Sequence, residues 1–258
     1  MYPPDDSRCF QGATLRGEGR AFTLVELLVV IAIMGILMTL AIPAFTALNG
    51  SGDLTKGASD IQSFLQEARS QAMARNTYVY VGLQEVDALN PTTSNGVGEI
   101  AIAAVASIDG SRALGTTNSG GLTNVTPISK ALTLSNIHLT NAASLTSGSN
   151  MTGRPGGTTS GIPSADVIDI SGITNMISSF QWPLAPSPAH YIFQTVLEFD
   201  PQGVPRMQTN PAVVDTSIQS YFEIPLTVAH GDIAVTNSPN QAAIQIDGVT
   251  GAVRVYRP

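Results

Sequence analysis

The chain has 258 residues and a formal net charge of −7; 43% of its residues are hydrophobic and only 12% are charged. An acidic balance argues against a general nucleic-acid binder, which needs a basic surface to displace counterions from phosphates. The single cysteine, Cys9, lies near the start, so the body can form neither a disulfide nor a thiolate metal site.

The hydrophobic residues are bunched near the N-terminus, while Gly, Ser, Thr and Asn dominate the middle, which predicts a small core domain with appendages. From Leu27 through Gly52 no residue is charged, and Leu27 to Ile42 reads LLVVIAIMGILMTLAI. With Leu24, Val25, Ala44, Phe45 and Leu48 the run exceeds a signal-peptide core of about 7 to 15 residues and reaches the roughly 20 that span a bilayer. Arg8, Arg16 and Arg20 precede it, whereas the first charges beyond it are Asp53 and Lys56. The positive-inside rule then keeps the leader cytoplasmic and exports everything after the helix. A signal anchor or a long cleaved signal peptide fits hydropathy alone equally well.

Glu26 separates these readings, because a carboxylate at the bilayer centre costs about 2.5 to 3.5 kcal/mol on insertion scales and needs a partner. A cut before Phe22 would leave a new α-amine one helical turn away, able to neutralise Glu26 within a subunit or between neighbours. The segment Ala21-Phe-Thr-Leu-Val-Glu-Leu-Leu-Val-Val-Ile-Ala-Ile resembles the prepilin cleavage and methylation segment of type IV pilins and type II secretion pseudopilins. The resemblance implies that an inner-membrane prepilin peptidase cuts between Ala21 and Phe22 and that Phe22 is N-methylated. It also implies that Glu26 guides assembly with other pilins at an inner-membrane platform, and that Gly35 and Pro43 let the helix loosen. Glycine lowers helix propensity by about 1 kcal/mol and an internal proline removes a backbone hydrogen bond. The residue before the cut is Ala21, where the family usually carries Gly.

Between Asp53 and Asn76, Ile61, Phe64, Leu65, Ala68 and Ala72 recur at helical spacing, with Gln62, Gln66, Glu67, Arg69 and Arg75 mainly opposite. This predicts an amphipathic helix continuing the first and packing on a sheet. The run Leu65-Gln-Glu-Ala-Arg-Ser-Gln-Ala-Met-Ala-Arg-Asn, then Tyr78-Val-Tyr-Val, is similar to the minor pseudopilin H and FimT-like branch. Ala before the Phe together with a large polar insertion also resembles the prepilin-like member D of the Verru_Chthon cassette family.

Strands are expected over 77–84, 96–107, 195–199, 220–226 and 233–235, and as a closing hairpin with arms at 241–247 and 252–256 around Gly248-Val-Thr-Gly251. The stretch 118–166 is poor in large side chains and predicts a flexible insertion, with short strands near 131–134 and 137–140 able to interrupt it. Trp182-Pro-Leu-Ala-Pro-Ser-Pro predicts another loop, its Trp either a contact surface or a cap on the core. Leu197-Glu-Phe-Asp-Pro-Gln-Gly203 and Ile244 to Val255 resemble the closing strands of the same pseudopilin branch. Residues about 85 to 190 would then enlarge the usual domain.

The expected fold is α+β: a leader at 1–21, a transmembrane and assembly helix at 22–50, an amphipathic helix at 51–76, and a β-rich head at 77–258. No catalytic group, cofactor or metal site is expected. His138, His190 and His230 are dispersed, and no nucleophile elbow, P-loop or dinucleotide fingerprint occurs. Asp166 with Asp169, or Asp200 with Asp247, are the carboxylates calcium could use, but no Asp-rich loop accompanies them. The expected function is a structural minor pilin-like subunit of a type IV pilus or type II secretion pseudopilus. Its partners would be prepilin peptidase, other pilins, the assembly platform and membrane lipid. Two alternatives stand beside it: a DNA-uptake or adhesive minor pilin contacting its ligand, nucleic acid included, through the head or through Arg254 and Arg257, and a single-pass membrane-anchored protein that never polymerises.

Overall fold

A computed structural model of the chain describes residues 23–90, 96–113, 121–145, 151, 153–156, 166–173, 178–208, 218–235 and 238–258, without the side chains of residues 40–51. The expected leader 1–21 and parts of the expected insertion 118–166 lie outside the described residues. The chain divides into two compact units, residues 1–45 and 46–258. Helix α1, Leu24–Arg75, contributes to both. It stops where Asn76 turns left-handed at φ 50°, and the Asn76 and Thr77 N–H groups donate to Met73 O and Ala72 O. Asn tolerates that conformation better than other side chains with a Cβ.

In the second unit α1 packs on two sheets. The first holds β1 (Val79–Asp87), β2 (Gly98–Ser107), β3 (Val125–Pro127), β4 (Leu132–Ser135), β9 (Thr195–Phe199) and β10 (Pro205–Met207), in the order β10-β9-β1-β2-β3 with β4 also on β2. The second holds β5 (Ile137–Leu139), β6 (Val167–Asp169), β11 (Tyr221–His230), β12 (Ile233–Ala234), β13 (Gln241–Asp247) and β14 (Val253–Tyr256), in the order β12-β11-β13-β14 with β5 and β6 also on β11. Among the described strands only the β6–β11 pair is parallel. A separate hairpin joins β7 (Phe180–Trp182) to β8 (Tyr191–Phe193).

Period-two alternation decides which residues meet the helix. Val79, Val81 and Leu83 of β1, Ile100, Ile102 and Ala104 of β2, Phe222, Ile224 and Leu226 of β11, and Ile244 and Ile246 of β13 form one core with Leu54, Ala58, Ile61, Leu65, Ala68 and Ala72 of α1. The expected apolar helix stripe is therefore the buried face, with Phe64 half-buried beside it.

The outer faces are covered as well. On the first sheet, Tyr80, Ala101, Ala103, Val105 and Val196 lie under Phe180, Tyr191 and Phe193 of the β7–β8 hairpin. Trp182 is half-buried and packs on this cluster. A Cβ at Gly82 would stand 2.5 Å from Phe193, so only glycine lets the aromatic cover approach. On the second sheet, Leu145 and Met151 cover Ala243. Beside them Arg154 Nε donates to Glu223 Oε2 at 2.8 Å and its Nη2 reaches Glu223 Oε1, while Gln245 Nε2 donates to Glu223 and to Pro155 O. Glu223 is fully buried.

The short strands expected near 131–134 and 137–140 are present as β4 and β5, and they build this part of the insertion into the sheets. β4 pairs with β2 and β5 with β11, so the two sheets are joined through Asn136, which turns left-handed at φ 63° and donates from Nδ2 to Asp53 Oδ2 at 2.7 Å. Ile137 reaches α1 at Gly57, where a Cβ would sit 2.1 Å from its Cδ1. Few large side chains are present, but Leu134 and Ile137 enter the main core and Leu132 and Leu139 pack against it.

A second junction lies at the other end. The turn Asp200-Pro-Gln-Gly203 between β9 and β10 meets the turn Asp247-Gly-Val-Thr-Gly251 between β13 and β14. Arg69 Nε donates to Gly203 O at 3.2 Å. A Cβ on Gly251, at φ 70°, would lie 2.2 Å from Gly203 O and 2.7 Å from Arg69 Nε. Gly251→Ala is therefore expected to destabilise the fold by about 2 kcal/mol through overpacking and left-handed strain. Unchanged denaturant unfolding would refute this junction. Arg154→Ala strands a buried carboxylate and is expected to cost about 3–5 kcal/mol, most of it recovered when Arg154→Met is combined with Glu223→Leu. The check is denaturant unfolding of both variants, and equal losses would contradict the account.

Candidate assembly segment and head surface

Helix α1 opens with a reciprocal cap. Thr23 Oγ1 accepts from Glu26 N at 3.2 Å, and Glu26 Oε2 accepts from Thr23 N and Thr23 Oγ1, each at 3.4 Å. This is the Thr-x-x-Glu capping box, and the carboxylate also complements the positive end of the helix dipole. The spacing is present in the sequence, although Glu26 stands out there only through its charge. Ala21 and Phe22 lie outside the described residues.

Beyond the cap the first unit is apolar on every side. Leu24, Val25, Leu27, Leu28, Val29, Val30, Ile31, Ile33, Met34, Ile36, Leu37 and Met38 are all between 40% and 79% exposed. A helix packed on its own chain would shield one stripe of such residues; among the described residues none is shielded here. Gly35 has open space around it, and Pro43 sits in α1 with its side chain outside the described residues.

Among the described residues no helix is long and apolar enough to cross a membrane. The described side chains of the first unit stop at Thr39. Leu24 to Thr39 rises only about 24 Å at 1.5 Å per residue, short of a hydrocarbon core of about 30 Å. The expected single-pass span thus rests on sequence that continues past this limit.

Residues 19–42 match the prokaryotic N-terminal methylation motif. This supports a type IV pilin-like or pseudopilin subunit processed by prepilin peptidase, with other pilins as partners and a membrane-anchored N-terminus. Proteins of this kind are structural rather than enzymatic. No solved structure matches the chain.

In the head, the two arginines grouped as a ligand contact have different surroundings. Arg257 Nη1 donates to Thr55 Oγ1 of α1 at 2.7 Å, whereas Arg254 lies on β14 close enough to Asp247 to act on its charge. Of the helix arginines, Arg69 is held by Gly203 and Arg75 is exposed. His138 Nδ1 lies 2.7 Å from Glu85 Oε1, linking β5 of one sheet to β1 of the other.

Of the carboxylates considered for calcium, Asp166 is exposed, while Asp169, Asp200 and Asp247 serve the backbone. Asp169 accepts from Ala142 N and Ser171 N, Asp200 from Gln202 N and Val204 N, and Asp247 from Val249 N and Thr250 N. Among the described residues no three metal-ligating side chains cluster.

A buried charge that the sequence did not signal lies on the first sheet. Arg112 Nε donates to both oxygens of Glu198, at 2.7 and 3.0 Å. Burial raises the Glu198 carboxyl above its ordinary value, with Arg112 and Arg206 pulling it back. Tyr80, which accepts from Ala113 N, is raised by burial and by Glu198.

Burial pushes Asp247 up, but the Thr250 and Val249 N–H groups and Arg254 hold it below its ordinary 3.8. A depressed carboxylate stabilises the fold above its unfolded value and stops doing so as pH falls through the folded one. Asp247→Asn is therefore expected to lower stability at pH 7, with the difference from the parent shrinking below about pH 4. Denaturant midpoints across that range test this, and a gap that widens in acid would contradict it.

Proposed function

We propose that this chain is a minor pilin-like or pseudopilin subunit of a type IV pilus or type II secretion pseudopilus. It is cut between Ala21 and Phe22 and methylated on the new Phe22 amine. Residues 22–50 then hold it across the bacterial inner membrane, with the leader side cytoplasmic and the head outside, until the subunit is drawn into a filament.

The observation that carries this reading is the unshielded apolar surface of α1 from Leu24 to Met38. Covering it removes some 25 cal/mol per Å² of apolar area from contact with water, and lipid or neighbouring helices do so equally well. Such a surface therefore suits a subunit that moves from a bilayer to a helical bundle. Gly35 and Pro43 weaken the helix along that path.

Glu26 supplies order within the bundle. In the isolated chain its carboxylate is occupied by Thr23 at long distances of 3.4 Å. A neighbour's Phe22 ammonium, desolvated among apolar helices, is a stronger partner than these. The ammonium would draw Glu26 from its local cap to an intersubunit pair.

Intact-mass and N-terminal peptide analysis of the membrane-extracted protein is expected to give an N-methylated Phe22. A start at Met1 would sink the proposal. Glu26→Ala is expected to leave processing and membrane insertion unchanged while abolishing intersubunit crosslinks along α1. Retained crosslinks would favour a different assembly contact, and a parent chain that never crosslinks would favour the non-polymerising anchor.

A further inference from the structure

At the end of the head where α1 stops, a concavity of about 410 Å³ is lined by Arg75, Asn76, Thr77, Ile108, Asp109 and Thr126 among others. Its walls are held by local bonds. Thr77 Oγ1 donates to Ser107 O at 3.0 Å, closing the helix end onto β2. Asp109 Oδ1 takes three donors, Ser107 Oγ at 3.0 Å, Ser111 N at 2.9 Å and Ser111 Oγ at 2.6 Å. Ile108 N donates to Asn124 O. All three Asp109 bonds reach one oxygen of the carboxylate and hold it on the groove wall.

Three further polar groups on the same groove make no hydrogen bond or ion pair through their side chains among the described residues: the Arg75 guanidinium, the Asn76 amide and the Thr126 hydroxyl. The volume lies within the range of small-molecule sites, about 300 to 1,000 Å³. We propose that this groove binds a saccharide carrying a carboxylate, with Arg75 on the ligand carboxylate and Asp109, Asn76 and Thr126 on its hydroxyl groups.

The composition of the lining selects this class. Among the described residues Arg75 is the one cation there, and Asp109 opposes it, so a polyanion such as a nucleic acid would meet repulsion as well as attraction. No aromatic ring is among the described lining residues, so bases have nothing there to stack on. Ionised Asp109 accepts only, which suits a neighbouring pair of hydroxyls, and its serine contacts hold it below the ordinary carboxylate range. The Arg75 fork matches a single carboxylate in two parallel bonds. Ile108, 63% exposed, offers an aliphatic surface to the C–H face of a sugar ring.

Arg75 also suits the helix C-terminus as a charge, but that role requires no particular direction of the side chain. The inference is independent of filament assembly, because the groove belongs to the second unit alone.

The test titrates the full chain in detergent micelles with trigalacturonate, with maltotriose and inorganic phosphate as separate arms, by calorimetry. Saturable binding of trigalacturonate is expected, at least about tenfold tighter than maltotriose, the value of one charge-assisted bond. Arg75→Gln is expected to erase the preference for the acidic sugar, and Asp109→Asn to weaken both sugars about tenfold. Thermal unfolding of both variants checks that the fold is kept. No saturable binding at millimolar trigalacturonate, binding that both variants leave unchanged, or phosphate bound as tightly as the sugar would each overturn the proposal.

Discussion

The head contains two sheets that share no ladder among the described residues, so its integrity depends on how they are held beside one another under one helix. Each end of the interface has its own lock. At one, β4 and β5 run as a single segment from sheet to sheet, with Asn136 at the crossing bonded to Asp53 and Ile137 seated on Gly57. At the other, Arg69 fastens the turn at Gly203 while Gly251 packs against the same carbonyl. Both locks combine a left-handed residue with a helix side chain. Backbone conformations that most residues avoid are thus used at both places where the two sheets meet under the helix.

The same economy explains how a chain rich in Gly, Ser and Thr keeps long connections in place. Residues 153–156 form no strand, and their ordering entropy is offset mainly at one point, the Arg154–Glu223 pair with Gln245 bridging to Pro155. A buried pair of this kind adds little net stability compared with apolar packing, but losing Arg154 would leave the fully buried Glu223 carboxylate without its ion-pair partner. The first sheet uses aromatic area instead, with Phe180, Tyr191 and Phe193 lying over Ala101, Ala103 and Gly82.

Elements with a clear period were legible in the sequence. The strands at 195–199 and 241–247 stand where alternation put them, and the helix stripe from Ile61 to Ala72 is the buried face. The strands β3, β6, β7, β8 and β10 were not legible, since three residues show too little alternation to be told from a loop. β6 pairs with β11, far away in sequence, while β7–β8 and β9–β10 are local hairpins in which β7, β8 and β10 are too short to show a period. Large apolar side chains are sparse along the insertion, yet four of them, Leu132, Leu134, Ile137 and Leu139, lie in the short strands expected near 131–134 and 137–140, at the right register to seal a seam. At the N-terminus the charge of Glu26 was conspicuous, while its cap with Thr23 was a short polar spacing hidden in an apolar run. The groove beside Arg75 had no linear signal at all, because α1, β2 and β3 contribute to it from three separate stretches.

The locks between α1 and the sheets also fix how the head responds to load. A pull along the axis of α1 acts on Asp53, Gly57 and Arg69 at staggered heights, and between them Leu54, Ile61 and Leu65 are keyed into both sheets. Separation along that axis requires these contacts to fail together in shear, whereas peeling at an edge strand such as β14 would break hydrogen bonds one after another. Load along the helix is thus shared among many contacts, while load across an edge strand falls on one ladder bond at a time.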